Sequence, residues 1–306
     1  MKTINITFFL LAIILTAACH RHTAAQVQDT STYNQAITNA QGTINLLGKS
    51  TRDRLQQEPF GIWFNKNYTD YTIDSATANQ LKPLVKNKRF VIFMGTWCGD
   101  SRREVPRIYK LLDYCGVQPS QIELINLNNS ETAYKQSPGH EEKGLYIFRV
   151  PDLLVYNDKN ELSRVIESPV ASWEKDLLTI VRNNNYTPHY SGAAMLAQLY
   201  RTTPFEKLEK DTLALASQLK PLTAARGELH SFGNLLLSAG DTAKALLTYQ
   251  VNTQLFPADP VAWTTLAGAR LKTGDKTAAI ACCRIAMRLQ PDNKEASAIL
   301  QQLGQQ

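Results

Sequence analysis

Cys98 is the residue whose setting most favours chemistry, because it lies between an apolar run and a segment with helical spacing. Residues 90–94, FVIFM, are rich in β-branched and aromatic side chains and predict a buried strand. After Gly95 and Thr96, apolar side chains recur at helical spacing, at Val105, Ile108, Leu111 and Leu112. We therefore expect the Cys98 sulfur at a helix N-terminus. There, unpaired N–H groups and the helix dipole favour the thiolate, the nucleophilic form of cysteine.

This segment resembles the active site of the thioredoxin family, in which a strand leads into W-C-x-x-C and then into a helix containing a proline. Trp97, Cys98 and Pro106 match that pattern, but Ser101 stands in place of the second cysteine. The resemblance covers about residues 60–183 and implies an α/β thioredoxin-like domain.

A second part of the resemblance is Val150-Pro151, in the apolar run of residues 147–156. A proline is tolerated at the start of a strand, which is the plain interpretation. In thioredoxin-like domains this Val-Pro bond is cis and its loop faces the active cysteine, so the resemblance implies both features here. The family usually has threonine next, whereas Asp152 would bring a negative charge near the sulfur and disfavour the thiolate. The resemblance implies a substrate groove at Val150, Asp152, Gly99 and Asp100, beside the catalytic candidates Cys98, Ser101, Trp97 and Pro151.

Ser101 decides which mechanism the resemblance implies. In dithiol members of the family the second cysteine attacks the mixed disulfide and frees the substrate, and a hydroxyl group cannot do this. The Ser101 hydroxyl can still hydrogen-bond the Cys98 sulfur and support its thiolate. The family also tends to carry a buried acid in the central strand, at the position of Ile92 here. Both departures argue against a complete reductase cycle in one chain.

Three hypotheses about function remain open. In the first, Cys98 attacks a substrate disulfide and another thiol releases the product, as in monothiol or isomerase chemistry. In the second, the chain only binds peptides or proteins, and in the third it is a structural lipoprotein adaptor. The pairing of Trp97-Cys98 with Val150-Pro151 favours the first. Arg102 and Arg103 either offset Asp100 and help to hold Cys98 ionised or form a solvated helix face.

Composition narrows the function classes. The 306 residues are 43% hydrophobic and 20% charged, which is enough for two domains with real cores. The formal net charge of +6 is spread along the chain without a basic stripe, which argues against nucleic-acid binding. We expect no metal and no cofactor, because the histidines show no paired ligand spacing. They are His20, His22, His140, His189 and His230.

The N-terminus predicts export. Residues 1–18 combine Lys2, an apolar run and small residues, as in a signal peptide, and the apolar run is too short for a membrane span. Cys19 follows Leu-Thr-Ala-Ala, which resembles the bacterial lipoprotein cleavage box and implies lipidation of Cys19. The alternative is ordinary secretion with cleavage near Ala24-Ala25. Residues 19–32 read as a flexible tether, and we expect the protein in the cell envelope or periplasm, touching the membrane through its lipid alone.

The other cysteines do not predict a disulfide framework. Cys98 and Cys115 lie at opposite ends of one predicted helix, roughly 25 Å apart at about 1.5 Å per residue, far beyond the ~7 Å Cα limit for a bridge. Adjacent Cys282 and Cys283 point to different helix faces, and we expect them, like Cys115, to serve packing.

Periodicity and turn residues predict the remaining elements before residue 183. We expect a helix over residues 33–57, a strand pair or an added edge strand over 60–73 and a short helix from 75 to about 85. Beyond the Cys98 helix, we expect a strand over 121–127, a polar loop with a weak helix over 128–144, a hairpin turn over 157–160, a return strand over 162–166 and a closing helix over 172–181.

An internal repeat marks the C-terminal part of the chain. Gly240-Asp241 recurs as Gly274-Asp275, in register at 34 residues, and the flanking positions are similar to the tetratricopeptide pattern. The resemblance implies an all-α repeat domain that docks a protein partner. The predicted organisation is a thioredoxin-like domain at 33–183 with an N-terminal extension at 33–59, a linker at 184–192 and the helical domain at 193–306. The clear repeats are 226–259 and 260–293, capped by helices within 193–220 and 294–303.

Overall fold

The structure, a computed structural model, describes residues 33–39 and 42–304. The predicted signal peptide, the tether and Cys19 lie outside the described residues. Within those two ranges, no helix is both long enough and apolar enough to cross a membrane.

A mixed six-stranded sheet is followed by many helices, so the expected α/β region and subsequent helical region are confirmed. The strand order is β1-β2-β4-β3-β5-β6, in which β3 and β4 are parallel and the other neighbours antiparallel. The strands are β1 (Gln35–Thr38), β2 (Ile44–Ser50), β3 (Lys88–Met94), β4 (Ile122–Asn126), β5 (Asp152–Asn157) and β6 (Asn160–Ile166). The helices of this region are α1 (Arg52–Leu55), α2 (Gly61–Asp70), α3 (Ser75–Leu81), α4 (Gly99–Tyr114) and α5 (Trp173–Val181).

The central strand β3 is buried on both faces, as its continuous apolar sequence predicts. Phe90, Ile92 and Met94 pack with the helices, whereas Val91 and Phe93 pack into a separate cluster that includes Trp97 and Cys98. The alternation follows from the two-residue period of a strand. Its consequence is that β3 supports the Cys98 corner from the face opposite to the helices.

The helix predicted over residues 33–57 is wrong, because that segment forms β1, β2 and the short α1. Pairing with β4 overrides the loose helical spacing: Gly48 lies opposite Asn126 in the antiparallel register. The Leu46 N–H also donates to Thr96 Oγ1 at 3.0 Å, which ties β2 to the turn just before Cys98. The N-terminal extension therefore helps to position the corner.

The strand pair predicted over residues 60–73 is also wrong, because residues 61–70 form α2. The aromatic residues Phe60, Phe64 and Tyr68 are spaced four apart and share one helix face. The Phe64 ring lies 6.2 Å from Tyr68 and 5.9 Å from Tyr109 of α4. Composition suggested a strand here, but the spacing is helical.

The Pro106 inside α4 is accommodated by a side chain of α2. Proline has no N–H, so the carbonyl of Arg102, four residues earlier, loses its helical donor. Asn67 Nδ2 donates to that carbonyl oxygen at 3.1 Å. The helix that begins at Cys98 thus keeps its backbone oxygen satisfied past the proline.

The other elements expected around the sheet are confirmed. The short helix α3 is capped by Asp74, whose side chain accepts from the Thr77 N–H at 3.2 Å, and α5 is capped by Ser172. The strand over 121–127, the loop over 128–144, the turn between β5 and β6 and the return strand also match their predictions.

From residue 191 the chain is helical, as expected. The helices are α6 (Ser191–Thr202), α7 (Phe205–Lys210), α8 (Thr212–Leu219), α9 (Arg226–Ser238), α10 (Thr242–Leu255), α11 (Pro260–Lys272), α12 (Lys276–Leu289) and α13 (Lys294–Gln302). The boundaries of α9 and α10 recur 34 residues later in α11 and α12. Gly240 and Gly274 both have positive φ, and Asp241 and Asp275 both cap the following helix. The 34-residue sequence period is therefore also a structural period.

Small side chains let the paired helices approach closely. Ala245, Ala267 and Ala279 are fully buried. A Cβ on Gly233 of α9 would lie 2.3 Å from the Tyr249 ring of α10, so a larger residue is excluded unless that ring moves. Gly233 and Ala267, and likewise Ala245 and Ala279, are 34 residues apart, so the small residues follow the same period as the helices.

An aromatic cluster joins the sheet region to the helices. The buried Phe232 ring of α9 lies 5.6 Å from Tyr146, 5.5 Å from Phe148 and 5.9 Å from Tyr200. Tyr146 and Phe148 belong to residues 127–151, the connection between β4 and β5, hereafter the β4–β5 connection. The Gln136 side-chain amide of this connection donates to Ser238 O at 3.2 Å. The connection is therefore held by α9.

Replacing Phe232 by alanine is expected to lower the free energy of unfolding by about 3–5 kcal/mol, because a fully buried ring is lost from both regions. Chemical denaturation followed by tryptophan fluorescence measures the change. Leu213→Ala in α8, where the side chain is 68% exposed, is the control and should stay within about 0.5 kcal/mol of the parent. Equal stability of the two variants would contradict the role given to Phe232.

Candidate functional site at Cys98

Cys98 lies where β3 turns into α4, as its flanking sequence predicts. It is the N-cap residue of α4, with extended backbone angles (φ −89°, ψ 127°), and it is half-buried. Its N–H donates to Gly95 O at 2.9 Å, and its carbonyl accepts the first helical bond, from Arg102 N at 3.0 Å. The sulfur is therefore attached at the N-terminus of a 16-residue helix, where the dipole favours negative charge.

The Cys98 sulfur faces the start of β5. The thiol Sγ donates to Val150 O at 3.4 Å, across 52 residues of sequence. The Val150–Pro151 bond is cis, which confirms that prediction. Val150 is 3% exposed and packs in the cluster that contains Cys98 and Trp97. The structure thus brings together three of the four catalytic candidates and one groove candidate.

Trp97 is fixed from two sides. Its Nε1–H donates to Leu127 O at 2.8 Å, at the end of β4. On the other side, a Cβ on Gly95 would lie 2.3 Å from the indole ring. Glycine is therefore the residue that lets Trp97 lie over the turn next to Cys98.

Ser101 is placed inside the first turn of α4 and is fully buried. Its Oγ accepts from the Gly95 N–H at 3.3 Å, and it makes no hydrogen bond with the Cys98 sulfur. The bond that the Ser101 hydroxyl could make with the Cys98 sulfur is not formed here, and the sulfur bonds Val150 O instead. The hydroxyl instead stabilises the turn that precedes Cys98.

Asp152 is not a groove residue. Its side chain is fully buried in β5 and its Oδ2 accepts from Arg164 Nη1 at 3.3 Å, while Arg164 also binds Glu161. Burial raises the pKa of the Asp152 carboxyl to about 7, against the lowering effect of Arg164. The Asp152 carboxyl is therefore partly protonated near neutral pH, and Arg164 offsets the negative charge that remains beside Cys98.

The polar groups after Cys98 are engaged locally. Arg103 binds Asp100 at 2.7 Å and Glu104 at 2.6 Å. Arg102 Nε donates to Thr96 O at 2.5 Å. Asp100 is thus offset by Arg103, and Arg102 stabilises the turn rather than extending into solvent. Gly99 makes no side-chain contribution but leaves the space above the helix N-terminus open.

A residue that the sequence did not indicate, Lys135, completes the site. It lies in the β4–β5 connection, is 3% exposed, and its Nζ is 5.5 Å from the centre of the Trp97 ring and 5.2 Å from that of Tyr134. Burial lowers the Lys135 pKa to about 8, while the charge of Cys98 acts in the opposite direction. The polar sequence around Lys135 has no periodicity or motif, so no sequence signal could have found it.

The other described cysteines are free and buried, as expected for packing residues. Burial raises the pKa of Cys115 and of Cys283 to about 11, and it also raises that of Cys282. Cys98 is the least buried thiol of the described chain. No group of three or more His, Cys, Asp or Glu within residues 33–39 and 42–304 could hold a metal ion.

A cavity of about 610 Å³ lies apart from Cys98, between β6 and α6. Its lining includes Tyr146, Phe148, Arg164 and Arg201. It does not include Cys98 or Val150, so it is separate from the site described here.

No protein-family model and no curated protein matches this chain.

Replacing Asp152 by asparagine is expected to change how stability depends on pH. The Asp152 pKa is raised to about 7 in the folded chain, so between about pH 4 and pH 7 the folded state holds a proton that the unfolded state releases. As the pH rises through this window, the free energy of unfolding of the parent falls by up to about 1.4 kcal/mol per pH unit, and that of Asp152→Asn does not. Urea denaturation at intervals from pH 4 to 8 measures the difference. Ser163→Ala on β6, which changes no ionisable group, should shift all points equally. A parent and an Asp152→Asn variant with parallel profiles would contradict the raised pKa.

Proposed function

We propose that this chain is a thioredoxin-like protein that carries out thiol–disulfide exchange through one cysteine, Cys98. The observation that carries the proposal is the position of the Cys98 thiol at a helix N-terminus, within hydrogen-bond distance of the carbonyl before a cis-proline. The order of β3, α4, β4, the β5–β6 hairpin and α5 supports the thioredoxin-like assignment.

The proposed exchange proceeds in two balanced steps. The Cys98 thiolate attacks one sulfur of a substrate disulfide, the substrate S–S bond breaks, and the other sulfur leaves as a thiolate. A second thiolate, from the substrate itself or from a partner reductase, then attacks the mixed disulfide and releases Cys98. Ser101 takes no part in either transfer, which makes the chemistry monothiol or isomerase-like.

The substrate is proposed to lie across the Gly99-Asp100 turn, where Gly99 is exposed, next to Cys98 and the buried Val150-Pro151. The helix pairs α9/α10 and α11/α12 are proposed to be tetratricopeptide repeats that dock a protein partner, and their common 34-residue spacing supports this. The N-terminal sequence supports an exported, envelope-bound protein with a lipid on Cys19.

A second candidate function is a non-catalytic module that binds a peptide or protein. The observation that favours it is the position of Ser101, whose hydroxyl bonds the Gly95 N–H and does not reach the sulfur. Binding of a peptide to a Cys98→Ala variant with unchanged affinity, together with no exchange by the parent, would support this candidate.

The full chain carrying Cys19→Ser is expected to reactivate ribonuclease whose disulfides have been scrambled, in a buffer with a small thiol. Cys98→Ser should abolish this activity, because the attacking sulfur is removed. Cys115→Ser, which alters a buried thiol at the other end of α4, is the matched control and should keep it. Equal reactivation by the parent and by Cys98→Ser would overturn the proposed function.

Ser101→Cys is expected to add the missing resolving step. The mixed disulfide between Cys98 and 2-mercaptoethanol should decay without added thiol in this variant, whereas in the parent its decay rate should follow the external thiol concentration. Mass spectrometry after acid quenching measures both. Ser101→Ala is the control and should behave as the parent. If the Ser101→Cys mixed disulfide still required external thiol, the alignment of position 101 with a resolving cysteine would be wrong.

A further inference from the structure

Lys135 is an unusual residue for a buried position. Lysine is almost never fully buried without a partner of opposite charge, because the desolvation of an ammonium group is costly. Lys135 is 3% exposed, yet among the described residues no carboxylate lies within ion-pair distance of its Nζ. The aromatic faces of Trp97 and Tyr134 provide part of the compensation.

The backbone holds Lys135 in this position. Its N–H donates to Asn128 O at 2.8 Å, and Asn128 N donates to Gln136 O at 2.9 Å. Gln136 is in turn bonded to α9 through Ser238 O. The backbone of Lys135 is therefore held in place as long as the β4–β5 connection stays on α9.

The charged groups that face Lys135 come from four elements. Cys98 lies at the start of α4, Arg149 precedes β5, Asp152 begins β5 and Glu167 follows β6. Arg149 and Glu167 pair with each other at 3.4 Å, and Asp152 pairs with Arg164. The Lys135 Nζ lies over the ring of Trp97, the neighbour of Cys98 in sequence, and Trp97 and Cys98 pack in the same cluster. A negative charge on Cys98 would act favourably on the Lys135 ammonium. Of the three acidic groups that face Lys135, only Cys98 is not paired with an arginine.

We propose that Lys135 is the positioning residue that keeps Cys98 ionised, with the Cys98 thiolate as counter-ion of the buried ammonium. This inference rests on the proposed function and deepens it. In the first exchange step, Lys135 increases the fraction of Cys98 present as the attacking thiolate. In the second step the leaving Cys98 sulfur regains its charge next to the ammonium, so the mixed disulfide is a less stable state than it would be without Lys135. A thiol that leaves readily replaces part of what a resolving cysteine would supply.

The test measures the alkylation rate of Cys98 by iodoacetamide, a neutral reagent, from pH 6 to about 10.5 in the full chain carrying Cys19→Ser. At pH 7, Lys135→Met is expected to react about tenfold more slowly than the parent, because an opposite charge close to an ionisable group shifts the pKa of that group by about one unit or more. The two rates should converge near pH 10.5, where an ordinary thiol is ionised in both chains. Lys135→Arg should recover most of the rate at pH 7. Lys143→Met, an exposed charge in the same connection, should leave the profile unchanged.

A second readout follows the leaving step. The parent, Lys135→Met and Lys135→Arg are equilibrated at pH 7 with oxidised and reduced 2-mercaptoethanol, both uncharged as reagents. The equilibrium constant for Cys98 mixed-disulfide formation should rise in Lys135→Met, by up to about tenfold where the parent thiol is mostly ionised, and return towards the parent in Lys135→Arg. A purely structural role for Lys135 would lower rates at every pH and would expose the buried thiols, which the same alkylation assay counts.

Two negative results can be told apart. Identical pH profiles and equilibrium constants for the parent and Lys135→Met would overturn the role of Lys135 while leaving exchange by Cys98 intact. A Lys135→Met alkylation rate that is lower than the parent rate by the same factor at every pH, with no convergence near pH 10.5, would also overturn it. Failure of the proposed function would give a different result: the parent chain would form no mixed disulfide and would not reactivate ribonuclease.

Discussion

The contact of Phe232 with Tyr146 and Phe148 is the interaction on which the Cys98 site depends. The β4–β5 connection contains a single 3₁₀ turn over residues 131–133 and no strand. It is tied to β3 at its start, where the Leu127 N–H donates to Met94 O at 2.8 Å, and Ile147 and Val150 pack with Phe93. Packing on α9 holds it from the other side. Because the same connection ends at the cis-proline facing Cys98 and also carries Lys135, the first repeat helix determines the surroundings of a sulfur that it does not touch. The helical region is in this sense part of the site.

The electrostatics of the site follow from which charges are already neutralised. Arg164 is shared between Asp152 and Glu161, and Arg149 is paired with Glu167. The Arg164–Asp152 pair is buried, where an unpaired charge is expensive, and the Arg149–Glu167 pair is half-buried. These charges are therefore already paired with each other rather than with the sulfur. The helix dipole of α4 acts on Cys98 from one side and the Lys135 ammonium from the other. The Asp152 charge that the sequence suggested as an opposing influence is largely offset by Arg164.

The parts of the site that follow one another in sequence could be predicted, and the parts brought in by packing could not. The strand-to-helix corner at Cys98 depends on local apolar periodicity, and the 34-residue spacing of α9–α12 depends on local small residues and caps. The segments around β1–β2 and α2 were predicted incorrectly for two different reasons. The first has weak local preference and takes its conformation from pairing with β4. The second was assigned from aromatic content, although its spacing of four residues is helical. Lys135 has no local signature at all, because its burial depends on the position of α9.

The side chain of Ser101 shows how serine at this position maintains the turn before Cys98. Its hydroxyl is a good acceptor for the Gly95 N–H, and Gly95 must remain small to accommodate Trp97. A serine at this position therefore maintains the turn while it removes the second thiol. Without a thiol at position 101, the chain has no intramolecular attack on a mixed disulfide of Cys98. A buried cation that lowers the free energy of the released thiolate acts on that same step, since it favours departure of Cys98 whichever thiol attacks. In the proposed exchange, the absence of a thiol at position 101 and the burial of Lys135 near Cys98 are therefore physically connected, because both bear on how Cys98 is released.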